Sequence, residues 1–135
     1  MRRLSFLLVA LGGAVLFVSS CKDEIADPSV NPIVFPQENV SFTRHVEPLF
    51  QQRCSFIGCH AGGNPAAGLD LSTPAYNKLM NHQPRLVVSG EGSNSLLAQR
   101  IDGRFPRQMP LDREPLNANQ ISGVKKWIDE GASNN

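Results

Sequence analysis

The chain has 135 residues, with 13 lysine and arginine residues against 12 aspartate and glutamate residues, and its formal net charge is +1. So balanced a charge supplies no positive field for a phosphate backbone, and we therefore expect no nucleic-acid partner. The length suits one small domain, whose apolar core alone would be marginally stable, so that a cofactor or a crosslink would help it.

Residues 1–20 have the pattern of a secretory signal peptide. Arg2 and Arg3 form a basic start, and a mostly apolar stretch follows over residues 4–18. At about 15 residues this stretch is too short for a comfortable membrane span but suits a secretory signal.

The end of the signal peptide carries a candidate lipidation site. Residues 18–21 (VSSC) resemble the lipobox of bacterial lipoproteins, in which the cysteine is acylated and becomes the new N-terminus. Residues 22–24 (KDE) resemble the export signal of surface-exposed lipoproteins in Bacteroidetes. These resemblances imply a lipid anchor on Cys21 and a place in the bacterial cell envelope, in the outer membrane at its periplasmic face or at the cell surface. The alternative is an ordinary thiol beyond a conventional cleavage site.

Residues 21–40 are predicted to be a tether. They carry Pro28, Pro32 and Pro36 among polar residues and show no sustained apolar period, which is typical of an extended linker. We expect this segment to hold the domain away from the lipid surface and to contribute nothing to the core. The folded domain is then predicted to cover residues 41–135.

The domain is predicted to begin with a helix that ends at about Arg53. Ser41 or Thr43 can cap it, and apolar residues then recur at helical spacing. Pro48 should either kink this helix or mark where its regular part begins. The apolar face consists of Phe42, Val46, Leu49 and Phe50.

Three further helices and long loops complete an all-α prediction. A short helix over residues 73–81 has Ser72 as its candidate cap, and another opens at Ser93 or Asn94. The last follows a capping box over residues 117–120 and ends near Gly131. Residues 104–115, the proline-rich loop, hold three prolines and no apolar period. We expect this loop to be ordered because it folds around another group. The predicted fold is a small domain of several short helices with long irregular loops.

Residues 54–60 (CSFIGCH) are the most informative segment of the chain. Two cysteines, the second followed by histidine, are typical of covalent haem attachment, in which each thiol adds to a haem vinyl group and the imidazole binds the iron. The spacing is C-x4-C-H, two residues longer than usual, and a regular helix would turn the second thiol about 140° away. Residues 55–58 must therefore bulge, and Gly58 supplies the freedom to do so. The alternative is a disulfide between Cys54 and Cys59 that leaves His60 exposed.

A six-coordinate haem iron needs a second axial ligand, and Met109 is the preferred candidate. It precedes Pro110 in a proline-rich loop that is stiff enough to hold a weak thioether against iron. Met80 is predicted to be a core residue, His45 a surface residue, and His82 an exposed residue beyond a helix end.

The whole domain resembles a family of bacterial cytochrome c-like domains that is common in Bacteroidetes and Planctomycetes. The resemblance implies that Cys54 and Cys59 anchor haem c by thioethers, that His60 is the proximal iron ligand and that Met109 is the distal one. The segments that carry it, in the family's order, are residues 46–50 (VEPLF), 59–63 (CHAGG), 68–72 (GLDLS), 95–97 (SLL), 108–110 (QMP) and 127–132 (WIDEGA).

Three functions remain open on the sequence. The first is a monohaem c-type cytochrome, anchored to the membrane through Cys21, that passes electrons to redox partner proteins. The second is a haem-free, disulfide-stapled interaction domain of a surface lipoprotein. The third is an enzyme such as a peroxidase, which would need an open iron site and a distal acid-base group. The sequence offers no such group, so we expect an electron carrier and not an enzyme.

Overall fold

The computed structural model describes residues 32–135, which contain four short α-helices, one π-helical segment, one 3₁₀ turn and no β-strand. The predicted all-α class, with short helices and much irregular chain, is confirmed. In this range no helix is long and apolar enough to cross a membrane. The predicted signal peptide, the lipidation of Cys21 and the first part of the tether lie outside the described residues.

The first helix forms in two parts, as Pro48 predicts. Ser41 caps it by accepting a hydrogen bond from the Arg44 N–H at 3.3 Å. A π-helical segment, Phe42–Val46, then runs directly into α1, Glu47–Arg53. Pro48 lies in the first turn of α1, where a missing N–H leaves no bond unmade. The predicted apolar face is buried along both parts.

The second helix, α2, is Tyr76–Met80, and the prediction that Ser72 caps it is wrong. The Ser72 hydroxyl instead donates to the Asp70 carboxylate and accepts from Lys78 Nζ at 3.1 Å, so its oxygen caps no backbone N–H of the helix. The Ala75 N–H at the start of α2 donates to the Glu47 carboxylate of α1 at 2.7 Å. A side chain distant in sequence thus takes the place of the local cap.

The third helix, α3, is Leu96–Ile101, and it begins after the predicted Ser93 or Asn94. Ser95 precedes it and is fully buried. Its hydroxyl accepts from the Val88 N–H at 2.9 Å, so this serine ties α3 to the preceding loop.

The last helix, α4, is Ala118–Asp129, and its predicted capping box is confirmed. Asn117 Oδ1 accepts from the Gln120 N–H at 2.9 Å, while Gln120 Oε1 accepts from the Asn117 N–H at 3.1 Å. Trp127 is only 1% exposed and packs against Phe42 with ring centroids 5.3 Å apart. This contact joins α4 to the start of the first helix, within a core to which α1, α2, α3 and the loops also contribute.

The end of the predicted tether belongs to this core, so the expectation that it contributes nothing is wrong. Phe35 and Val40 are each only 2% exposed. The Phe35 ring lies so close to Gly123 of α4 that a Cβ there would come within 2.1 Å of it. The Asn39 and Val40 N–H groups both donate to the Glu130 carboxylate at 2.8 Å. A short apolar run over residues 33–35 and a single valine at position 40, in a proline-rich segment, are too weak a periodic signal to show this.

Candidate functional site

The segment from Cys54 to His60 forms a compact loop at the end of α1. Cys54 ends the helix, with its N–H donating to the Phe50 carbonyl at 2.8 Å. The chain then turns through Phe56, whose carbonyl accepts from the Cys59 N–H at 2.9 Å. The His60 N–H returns to the Cys54 carbonyl at 3.3 Å. The loop thus brings the two ends of the C-x4-C-H segment together.

The two extra residues of this spacing are accommodated by the bulge that the sequence predicts. Gly58 has φ +84°, a left-handed conformation that glycine adopts without strain. Ile57 is pushed outward and is 91% exposed. Cys54 and Cys59 meanwhile both line the same cavity. The longer spacing therefore does not turn one cysteine away from the other.

The cavity has a volume of about 490 Å³ and a mostly apolar lining. This volume lies within the range usual for small-molecule and cofactor sites. Its apolar wall comes from α1, α3, the loops between them and the proline-rich loop after α3. All four residues predicted to hold haem line it: Cys54, Cys59, His60 and Met109.

His60 is oriented as a metal-ligating histidine would be. Its Nδ1 lies 3.2 Å from the carbonyl oxygen of Leu69, a buried residue. A carbonyl oxygen can only accept, so Nδ1 carries the proton and donates it. The Nε2 atom then keeps its lone pair for a metal. Such a bond from the second ring nitrogen fixes the tautomer and the ring orientation of a ligand histidine.

Met109 reaches the cavity from the proline-rich loop. Its N–H donates to the Arg100 carbonyl at the end of α3 at 2.8 Å, which fixes the backbone of the loop there. Its side chain is half-buried and packs against the core. Met80 also packs against the core but is not among the residues that line the cavity, in agreement with its predicted role.

The two other histidines differ from their predicted positions. His45 is half-buried and not a plain surface residue, because its Nδ1 accepts from the Ser41 N–H at 3.0 Å and its ring lies 5.8 Å from that of Phe35. It is absent from the cavity lining. His82 is also half-buried, and it does line the cavity. Its Nε2 lies 3.0 Å from the Ala67 carbonyl oxygen, which links the loop after His60 to the end of α2.

Cys54 and Cys59 are free thiols in the structure. Burial raises the pKa of the Cys54 thiol to about 12, an effect that Arg53 opposes, that Cys59 reinforces and that Arg113 opposes more weakly. The residue as a whole is partly buried and lines the mostly apolar cavity. At neutral pH Cys54 is therefore a thiol and not a thiolate.

This pKa shift predicts an alkaline loss of stability in the haem-free protein. The unfolded chain releases the Cys54 proton from about pH 9, and the folded chain only near pH 12. Through this group, the free energy of unfolding should therefore fall by about 1.4 kcal/mol per pH unit between pH 9 and pH 12. Below pH 9 the thiol is protonated in both states, and this contribution to stability is intact. Urea unfolding across this range should show that Cys54→Ala removes the extra slope and that Cys59→Ala keeps it. If the free energies of unfolding of the wild type and Cys54→Ala changed in parallel with pH, the raised pKa of Cys54 would be contradicted.

Four arginines on the cavity wall have no counterpart in the sequence predictions. They are spread over α1, α3 and the proline-rich loop, without a spacing that would mark them as a group. They are Arg53, Arg100, Arg107 and Arg113.

Comparison with protein-family models, with curated proteins and with solved structures gives no match for this chain. Its function is therefore argued from the cavity and from the residues that line it.

Proposed function

We propose that the protein is a monohaem c-type cytochrome and acts as a membrane-anchored electron carrier. Haem c would be attached to Cys54 and Cys59 and ligated by His60 and Met109. The observation that carries the proposal is His60 itself. Its Nδ1–H is held by the Leu69 carbonyl, and it follows a free thiol on the wall of a largely apolar cavity.

The residues present fit this group by their chemistry. The Cys54 and Cys59 thiols would each add across one vinyl group, forming a carbon–sulfur bond while the thiol hydrogen goes to the other vinyl carbon. His60 would offer Nε2 as a ligand, since Nδ1 is already occupied. Met109 would offer a thioether, which favours ferrous iron over ferric. When bound, haem c would supply an iron that changes between these two states and so carries one electron.

Cys21 and Met109 bear on where the protein would act and on its partners. Acylation of Cys21, which lies outside the described residues, would attach the domain to the outer membrane of a bacterial envelope. Met109 in the sixth coordination position would leave no open site for a substrate, which favours electron transfer with redox partner proteins over an enzyme.

The test is to produce the full chain in bacteria that carry the c-type maturation machinery. We expect a Soret band, and haem that stays with the polypeptide on a denaturing gel. Cys54→Ala or Cys59→Ala should leave at most one thioether and lower the yield of haem protein, and the double variant should retain no covalent haem.

The Cys21→Ser variant is the matched control for these cysteine changes. It should lose acylation and membrane attachment but keep its haem content. A disulfide between Cys54 and Cys59 in protein matured with haem available would contradict the proposal. That result would support the haem-free interaction domain instead.

A further inference from the structure

The cavity wall carries positive charge that no acidic residue compensates. Four arginines line it, and no aspartate or glutamate is among its lining residues. The ion pairs found between residues 32 and 135 engage other cations: Lys78, Arg104, Lys125 and Lys126. The cavity is therefore apolar in its lining and cationic in its net charge.

Two of the four arginines are held in place by backbone carbonyls. Arg53 donates to the Glu114 carbonyl at 2.7 Å, and Arg100 donates to the Pro106 carbonyl at 2.8 Å. A carbonyl bond uses one donor of the guanidinium and leaves its charge in place. Both bonds connect a helix to the proline-rich loop.

The other two arginines belong to the proline-rich loop and are freer to bind something else. Arg113 lies over the Phe56 ring, 4.0 Å from its centroid. Arg107 makes no hydrogen bond or ion pair within residues 32–135, and its backbone has φ +64°. A non-glycine residue in this conformation is uncommon, and such residues cluster at binding sites. Met109 lies between these two arginines in the chain.

We infer that the proline-rich loop is a carboxylate clamp: Arg107 and Arg113 bind two carboxylate groups of a flat, otherwise apolar ligand in the cavity. The inference rests on the proposed function, since haem carries two propionates on an apolar ring. Guanidinium groups pair with carboxylates in a planar, two-pronged geometry, which lysine cannot supply. One loop thus contributes both the distal ligand and the charge that orients the ring.

The test separates carboxylate binding from iron and from thioether formation. Its probe is mesoporphyrin IX, which has two propionates but no iron and no vinyl groups, and the matched neutral probe is its dimethyl ester. The full mature chain, kept in detergent and made without the maturation machinery, is titrated with each probe while porphyrin fluorescence is followed. We expect the diacid to bind more tightly than the diester, with an advantage that shrinks as salt is added.

The arginine variants should then affect only the diacid. Arg107→Gln and Arg113→Gln should each weaken its binding by about tenfold, the size of a lost charge-assisted hydrogen bond, and leave binding of the diester unchanged. Arg44→Gln is the control, because Arg44 is exposed and absent from the cavity lining, and this variant removes the same charge. It should behave like the wild type.

Several outcomes would overturn the clamp. These are no binding of the diacid, equal binding of diacid and diester, or a loss in Arg44→Gln as large as in the loop variants. Failure of the proposed function has a different signature. Mature protein would then lack covalent haem, while the arginine-dependent preference for the diacid persisted.

Discussion

Replacing Met109 with alanine is expected to abolish the weak near-infrared absorption by which oxidised haem proteins report a bond between methionine sulfur and iron. The side chain lies on the wall of the same cavity as His60, and its backbone is tied to the end of α3. In the proposed haem protein, loss of the thioether would open the sixth position of the iron, so small ligands should bind. The reduction potential should fall, because thioether ligation favours the ferrous state. Absorption spectroscopy and potentiometry of the purified haem protein measure both effects.

The Met80 variant is the control for the loss of the near-infrared band in Met109→Ala. Met80→Ala truncates a methionine that packs against the core but does not line the cavity. It should lower the free energy of unfolding by about 2 kcal/mol, the low end of the range for a large core side chain, and leave the near-infrared band in place. A band that persists in the Met109 variant and vanishes in the Met80 variant would show that the ligand assignment is wrong.

His82→Ala addresses the remaining candidate ligand. His82 is the other histidine on the cavity wall, where the sequence predicts only an exposed residue. If the wild type shows no near-infrared band and the spectrum changes only in the His82 variant, His82 is the distal ligand. If neither Met109→Ala nor His82→Ala alters the spectrum, the iron is five-coordinate and an enzyme becomes the better hypothesis.

The features of the fold that were predictable are those that depend on residues close together in the chain. The capping box of Asn117 and Gln120 involves residues three apart, and the Ser41 cap is equally local. The start of α2 was not predictable, because its capping carboxylate belongs to Glu47 in another helix. A sequence pattern cannot show that a nearer serine is already bound to Asp70.

The same distinction holds for the cavity. Its cysteines and His60 are adjacent in sequence, and Met109 is marked by the proline that follows it. The four lining arginines and His82 have no such mark, because they are distributed over two helices and the irregular loops and share no residue period. The sequence could therefore identify the groups that would hold an iron, but not the charge that surrounds them.

Phe35→Ala is expected to lower the free energy of unfolding by about 3–5 kcal/mol, although Phe35 lies in the predicted tether. The ring is almost fully buried against Gly123, in space that a side chain on α4 would otherwise occupy. Asn119 brackets the backbone of Phe35, accepting from its N–H at 2.8 Å and donating to its carbonyl at 3.0 Å. Because the backbone is held there, the neighbouring chain cannot collapse into the space that the ring leaves.

Val34→Ala is the matched control for this substitution. Val34 is the adjacent residue and is 70% exposed, so its truncation should change the free energy of unfolding by less than about 0.5 kcal/mol. Urea unfolding of the two variants in the full chain makes the comparison. Equal and small losses would mean that residues 32–40 are a tether after all. A large loss in Phe35→Ala alone would place the start of the folded domain before Ser41, because a buried ring in residues 32–40 would then contribute to the stability of the domain.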